Sequence, residues 1–345
     1  MQYSIRVRSV AAEALDRSGL VRYALQRRSR NGLLILMYHR ILPPEEAQTR
    51  VQAGMYVVPE TFEEHLGMLK ELFQVVPVSE IVSGGRRIRS GRDPRPACVL
   101  TFDDGWSDFR RYAYPSLKAH ALPATVFLAT DFVGTARTFW TDELCRLFYA
   151  REAAGSQPPK TGAAVSLPIR LLEAADLPAE GRLEQAIETM KRMSQDEIAG
   201  VVVALAQRWG RDDAPRQRDF LTWDEAREMH RSGWVNFGSH TASHRILTML
   251  SDAEVSLELA RSRDRLVAEG LADGGCLPFA YPNGDFDART AELVRKHGYT
   301  LAVTTRKGWV PLEGDMDRFE LQRIAIHQDM AFTRGMFGCR MLQWI

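Results

Sequence analysis

Two adjacent carboxylates, Asp103 and Asp104, close the apolar run ACVLTF and stand directly before Gly105. Repulsion and desolvation both oppose like charges at the end of a buried strand unless a cation, a proton or a substrate compensates. Far along the chain, NFGSHTASH carries His240 and His244, four residues apart. On a helical turn that spacing puts both imidazoles on one face, where they can converge on one ion. Two neutral imidazoles and one carboxylate make a facial ligand set that leaves positions open for water and substrate. Either aspartate can supply the carboxylate, and its neighbour is then placed to work on the cation's water.

The elements that must position these groups read as strands alternating with helices. Apolar runs at 33–38, 97–102, 124–129, 234–238, 276–280, 300–305 and 321–326 predict strands, with a weaker candidate at 73–78. Thr61 precedes Glu64 by three residues, as Thr222 does Glu225 and Ser251 does Glu254, so each pair predicts a capped helix start. Gly233, Gly270 and Gly298 punctuate helix ends. About eight such units imply an α/β fold with a parallel sheet, open or closed into a barrel, and functional groups at the carboxyl ends of its strands. Residues 142–215 break the rhythm with long helical patterns and a soft REAAGSQPPKTG segment at 151–162, which predicts a helical insertion within one domain.

Composition excludes little. The 345 residues are 45% hydrophobic and 26% charged with a formal net charge of +1, ordinary for a soluble globular protein and no reason to expect a polyanionic partner. Four scattered cysteines, with no CxxC pair, speak against a structural zinc site or a disulfide framework. The first thirty residues differ: seven arginines face only Glu13 and Asp16, and Val10, Ala14, Leu15, Val21, Ala24 and Leu25 fall near helical spacing. A basic amphipathic helix there could contact anionic lipid or cap the domain. Residues 1–31 are therefore set apart from the main domain at 32–345. No apolar stretch follows the early arginines as in an export signal, so a cytoplasmic location is expected, with the inner face of the membrane as a place of work. No nucleic-acid partner is expected.

LTFDDG together with SHTASH resembles the polysaccharide deacetylases, the carbohydrate esterase group built on the NodB homology domain. FAYPNGDFD, at 279–287, resembles that family's third motif, and the similarity runs from about Gly32 to about Gln328. The resemblance implies a distorted (β/α) barrel of about seven to eight strands and a hydrolase removing N-acetyl or O-acetyl groups from sugars. The implied cofactor is a divalent metal, zinc above cobalt, nickel or manganese. Asp103 is implied as the base and Asp104, His240 and His244 as metal ligands. The backbone N–H of Asn283, after Pro282, is implied as an oxyanion donor, and Gly284 permits a tight turn.

One departure stands out. The family's third motif usually opens with an arginine that orients the base, and here the residue is Ala280. Arg323, in the strand LQRIAI, is expected to supply that charge. A histidine must protonate the leaving amine. His39 in MYHRI resembles the acid of an exopolysaccharide-type subgroup, which also tends to carry Ala-Tyr-Pro in its third motif; His327 resembles the acid of ordinary members. His39 is preferred. Trp106, Trp140, Tyr281 and Pro282 are expected to meet sugar rings, whereas Phe139 reads as packing. The substrate reading is an N-acetylated glycan, free or lipid-linked. The alternatives are an O-acetyl ester, a small-molecule amide, or a non-catalytic glycan-binding barrel.

Overall fold

The computed structural model describes residues 2–28, 32–47, 51–52, 54–83, 93, 95–155, 166–174, 177–210, 218–272, 275–311 and 317–345, with side chains from Val7 onward. It divides the chain into two compact units. The first comprises residues 1–41, 57–136 and 218–345, and the second residues 42–56 and 137–217.

The first unit is a closed barrel of seven parallel strands. In chain order they are β1 (Gly32–Tyr38), β2 (Ala97–Phe102), β3 (Ala124–Leu128), β4 (Val235–Ser239), β5 (Pro278–Ala280), β6 (Leu301–Lys307) and β7 (Leu321–Ala325). Each pairs with the next around the ring, and β1 closes it by pairing with both β2 and β7. Short strands are appended: Gln74–Val75 runs along β2, and Val310–Pro311 lies antiparallel to β1. The weak candidate at 73–78 is thus a two-residue strand outside the ring.

Alternation along each strand sorts side chains between two cores. Leu33, Ile35, Val99, Phe127, Val303 and Leu321 fill the barrel, while Leu34, Leu36, Leu100, Phe102 and Val126 face the surrounding helices. The same parity carries the interior face of β2 from Val99 through Thr101 to Asp103, and that of β7 from Leu321 to Arg323. Two strand registers therefore decide that these two charged groups meet inside the ring.

The longer helices of this unit, among the described residues, are α1 (Gln2–Arg17), α2 (Leu20–Arg28), α3 (Pro59–Leu72), α4 (Tyr114–His120), α9 (Trp223–Arg231), α10 (Asp252–Ala268), α11 (Ala288–Lys296) and α12 (Arg334–Leu342). Thr222–Glu225 and Ser251–Glu254 form the expected reciprocal caps on α9 and α10. Thr61 does not cap α3. Pro59, whose fixed φ suits the first turn and whose missing N–H costs nothing there, starts that helix three residues earlier, with Val58 in the cap position. Helix α1 lies against α12 so closely that a Cβ on Gly335 would sit 2.5 Å from the Ala12 backbone. Glu13 accepts the Gly335 N–H, and Asp16 pairs with Arg334.

The second unit is helical: α5 (Trp140–Ala153), α6 (Leu167–Glu173), α7 (Ala179–Met190) and α8 (Gln195–Trp209) pack around Leu144, Phe148, Leu172, Ile187 and Leu205. Arg208 and the Trp209 indole both donate to Glu173, tying α8 to α6. Residues 42–56 join this unit, which the sequence pattern does not reveal. Of the soft segment at 151–162, residues 156–162 lie outside the described residues.

Candidate active site

The carboxyl end of β2 delivers both aspartates, but the backbone then turns abruptly. Asp104 has φ 77 and Gly105 φ 84. A Cβ on Gly105 would meet Leu128 Cδ2 at 2.5 Å, so the turn needs glycine on both counts. Three more non-glycine residues near the motifs adopt left-handed backbone: Thr241 (φ 64), His244 (φ 61) and Asn283 (φ 58). Each such residue costs of order 1–3 kcal/mol and persists only where surrounding structure holds it.

That structure is visible at the histidine motif, which is not the helical turn its spacing suggests. His240 follows β4 and continues the ladder through its N–H to Leu128 O. The chain then loops left-handed at Thr241 and His244. Buried Glu258, on α10, fixes the loop by accepting from both the N–H (2.8 Å) and the hydroxyl (2.6 Å) of Ser243. Thr241 Oγ1 accepts the His244 N–H. The imidazoles converge even so, with ring centroids 4.8 Å apart.

Asp104, His240 and His244 each offer a ligand atom, and the three atoms lie within 4.8 Å of one another. Asp104 Oδ1 is 3.4 Å from His240 Nε2 and 3.2 Å from His244 Nε2. Donors bound about 2.0–2.1 Å from a tetrahedral ion are about 3.3 Å apart, so these spacings fit a zinc-like cation. The tautomer fits too. His240 Nδ1 lies 2.7 Å from the Ala280 carbonyl, which can only accept, so the proton is on Nδ1 and the Nε2 lone pair faces Asp104. Burial depresses the His240 pKa to about 4, keeping the ring neutral, as a ligand must be. Asp104 is held well below the usual carboxylate range: burial opposes this, but its hydrogen bond and electrostatic attraction to His244 prevail.

Asp103 stands beside this set. Arg323, fully buried, grips it with Nη1–Oδ1 and Nη2–Oδ2 bonds of 2.7 Å each, donates through Nε to Thr304 O, and touches Thr101 Oγ1 at 3.1 Å. Burial alone would raise the Asp103 pKa; the guanidinium charge and its hydrogen bonds reverse that and hold the group ionised. Arg323 thus reaches Asp103 directly from β7.

His39 follows β1 and is partly exposed, and Tyr38 before it accepts the Asp103 N–H. His327 follows β7 and directs Nδ1 to Asp329. Asn283 sits exposed in a short turn whose next residue, Gly284 (φ 78), would place a Cβ 2.0 Å from Thr305 Oγ1.

Three of the expected sugar contacts are corrected. Trp106 is 2% exposed, stacked on Phe220 and covered by Arg40, and its indole donates to Asp104 Oδ2 at 2.8 Å. Tyr281 is 0% exposed: its ring stacks on Phe286, and its hydroxyl donates to Phe319 O. Pro282 is buried at the start of its turn. None of these offers a face to a ligand; all three support the loops. Trp140 opens α5 in the helical unit, half-buried against that unit's core. Sequence reasoning missed Glu258, which holds Ser243 between the two histidines, and the Trp106 indole, which donates to Asp104, and no spacing signal marks either.

A family model described as polysaccharide deacetylase matches residues 90–165 and 170–302. A Bacillus subtilis (strain 168) protein provisionally named polysaccharide deacetylase YxkH is 21% identical over 301 residues, covering 87% of this chain and 73% of that protein. Among solved structures, the Streptococcus pyogenes deacetylase PplD in complex with acetate is similar with a TM-score of 0.55, 21% identity and 90% and 97% coverage of the two chains. IcaB from Ammonifex degensii follows with a TM-score of 0.53, 18% identity and 89% and 97% coverage.

Proposed function

The chain belongs to the polysaccharide deacetylase family, and from that premise we propose that it is a divalent-metal-dependent hydrolase removing N-acetyl groups from an amino-sugar glycan. The observation that carries this reading is the convergence of Asp104, His240 and His244 on one point, with an Arg323-clamped carboxylate beside them. A divalent cation held by those three residues, zinc by ligand preference, supplies Lewis acidity and acidifies water.

The chain's own groups take the remaining roles. Asp103, ionised at neutral pH and fixed in rotation by Arg323, accepts the proton of the attacking water. His39 gives a proton to the leaving amine. Its place directly after β1, whose last residue Tyr38 pairs with Phe102 and accepts the Asp103 N–H, supports this choice over His327, whose imidazole is engaged by Asp329. The Asn283 N–H, at the start of a left-handed turn, donates to the developing oxyanion, a contribution of about 3 kcal/mol for one such donor. Ala280 leaves the third motif without a cation, and Arg323 replaces it from β7.

The Tyr38-His39 and Ala280-Tyr281-Pro282 segments favour the exopolysaccharide-type subgroup. Residues 32–345 are read as one catalytic domain carrying the helical insertion, and residues 1–31 as a separate basic segment that rests on an anionic membrane surface. In support of the latter, Glu13 and Asp16 are turned to α12, while Val7, Val10, Leu20 and Tyr23 are exposed. Arg8, Arg17 and Arg27 are exposed as well; the side chain of Arg6 and all of Arg30 lie outside the described residues. Among the described residues no helix is long and apolar enough to cross a membrane, so the contact would be peripheral, and the inner, cytoplasmic face is the location proposed.

Metal analysis combined with acetate release from N-acetylated and O-acetylated hexosamine oligosaccharides tests the reading. The expected result is one divalent ion per chain and acetate from the N-acetylated series, with Asp103→Asn retaining the ion and losing at least about 100-fold in turnover. Acetate from the O-acetylated series alone would make the protein an esterase. Intact glycan affinity in a chain that binds no metal would make it a binding barrel.

A further inference from the structure

The segment after Asp104 contains a buried ion pair that the chemistry above does not use. Asp108 and Arg40 are 2% and 3% exposed, and Arg40 Nε donates to Asp108 Oδ2 at 2.8 Å. The other carboxylate oxygen accepts the Ile41 N–H at 2.9 Å. Burying such a pair costs several kcal/mol of desolvation per ion, and apolar replacements are often as stable, so stability alone is a poor reason for it.

Its surroundings supply a better one. The Arg40 guanidinium lies 4.1 Å from the centroid of the Trp106 ring, and Phe220 stacks on that ring at 4.6 Å and 19°. The flanking backbone is pinned as well, by Leu221 N to Gly105 O and Ser107 N to Asp219 O. Held in this sandwich, the indole has one direction for its N–H, and there it meets Asp104 Oδ2 at 2.8 Å. An indole only donates, so Oδ2 is committed and Oδ1 is left facing His240 and His244.

We propose that Asp108, Arg40 and Trp106 are positioning residues that orient the Asp104 carboxylate toward the two imidazoles. Asp108 fixes Arg40, Arg40 fixes the plane of Trp106, and Trp106 fixes the rotation of a carboxylate on a strained, left-handed residue. Through the Ile41 N–H, Asp108 also ties down the backbone two residues beyond His39, so one buried acid serves both sides of the site. The proposal rests on the metal-binding reading of Asp104, His240 and His244.

The test measures zinc affinity by competition with a chelating dye, and the visible spectrum of the cobalt-substituted full-length chain, for wild type, Trp106→Phe, Asp108→Asn and Asp104→Ala. Loss of a group that orients a ligand typically costs 10–100-fold in metal affinity. Trp106→Phe, which keeps a ring in the sandwich, is expected to weaken zinc binding by about 10–100-fold and to shift the cobalt bands. Asp108→Asn keeps an acceptor for Ile41 and is expected to shift both readouts in the same direction by less. A dissociation constant within about threefold of wild type, with an unchanged cobalt spectrum, in Trp106→Phe overturns the proposal. Should that variant fail to fold, the same outcome in Asp108→Asn overturns it. Wild type binding no better than Asp104→Ala would instead refute the metal-binding reading itself.

Discussion

Arg323 and Asp103 stand 220 residues apart in sequence and meet inside the barrel through two parallel 2.7 Å hydrogen bonds. The pair is fully desolvated, so each partner depends on the other. Removing the guanidinium leaves a buried carboxylate without compensation, a change that typically costs about 3–5 kcal/mol. It also leaves burial as the dominant influence on Asp103, and burial raises a carboxyl pKa. Arg323→Ala is therefore expected to destabilise the fold and to move the acidic limb of the kcat/KM profile to higher pH. Arg323→Lys, keeping the charge but losing the fork, should recover only part of the activity. An unmoved acidic limb in a folded Arg323→Ala protein would separate the ion pair from catalysis.

The two candidate acids predict a clean contrast. A general acid contributes typically about 10²–10⁴-fold to rate. His39→Ala should lose activity in that range with metal content unchanged, whereas His327→Ala should stay within a few-fold of wild type. The reverse ranking in acetate-release assays would transfer the role to His327.

How much of this was legible in sequence follows from what each residue must satisfy. Strands buried on both faces read as near-continuous apolar runs, so the seven barrel strands show as short, mostly aliphatic or aromatic runs, with ends within about two residues. The residue types a metal site requires, two imidazoles and a carboxylate, likewise made Asp104, His240 and His244 legible as a candidate set. Arg323 was legible only by default, because the arginine expected at 280 was missing. An aromatic side chain beside a motif carries no mark of which way its ring faces, which is why Trp106 and Tyr281 read as sugar platforms yet proved to be internal supports. The loop at 240–244 misled for a related reason: its backbone is left-handed at Thr241 and His244, and Ser243 between them is held by Glu258, a residue fourteen positions beyond His244 that no local pattern connects to it. Residues 42–56 join the helical unit through tertiary contacts that leave no period in the sequence.

The amino-terminal helices predict lipid dependence that can be measured apart from catalysis. With both acids turned inward, α1 and α2 show solvent an apolar row, Val10 alone being 71% exposed, flanked by arginines. Apolar insertion and attraction to anionic headgroups should add. The full chain is expected to co-sediment with phosphatidylserine or phosphatidylglycerol vesicles and not with phosphatidylcholine vesicles. Binding should weaken with salt, and drop several-fold in a Val10→Glu/Arg8→Glu variant with unchanged acetate release from a soluble oligosaccharide. Equal sedimentation of variant and wild type would remove the membrane from the account.

His65 predicts how the fold responds to acid independently of the site. The structure buries it on α3, stacked on Phe337 with ring centroids 3.8 Å apart. Nε2 must carry the proton, because it meets the Ala331 carbonyl at 2.7 Å, and Nδ1 then accepts from the Tyr38 hydroxyl at 3.2 Å. Burial lowers the pKa of the ring from an ordinary 6.5 to about 4, the backbone hydrogen bond offsetting only part of this. Below pH 6.5 the unfolded chain takes up a proton that the folded ring refuses, so the unfolded state binds more protons and stability must fall as pH falls. The effect is complete near pH 4 and of order 3 kcal/mol at most, since a pKa unit corresponds to about 1.36 kcal/mol. Urea melts of metal-free protein should show the midpoint dropping between pH 6.5 and pH 4. In His65→Gln, whose amide can serve both partners without titrating, that slope should be shallower whatever the variant's stability at pH 7. An identical slope in the two proteins would mean that His65 titrates alike in the folded and unfolded chains.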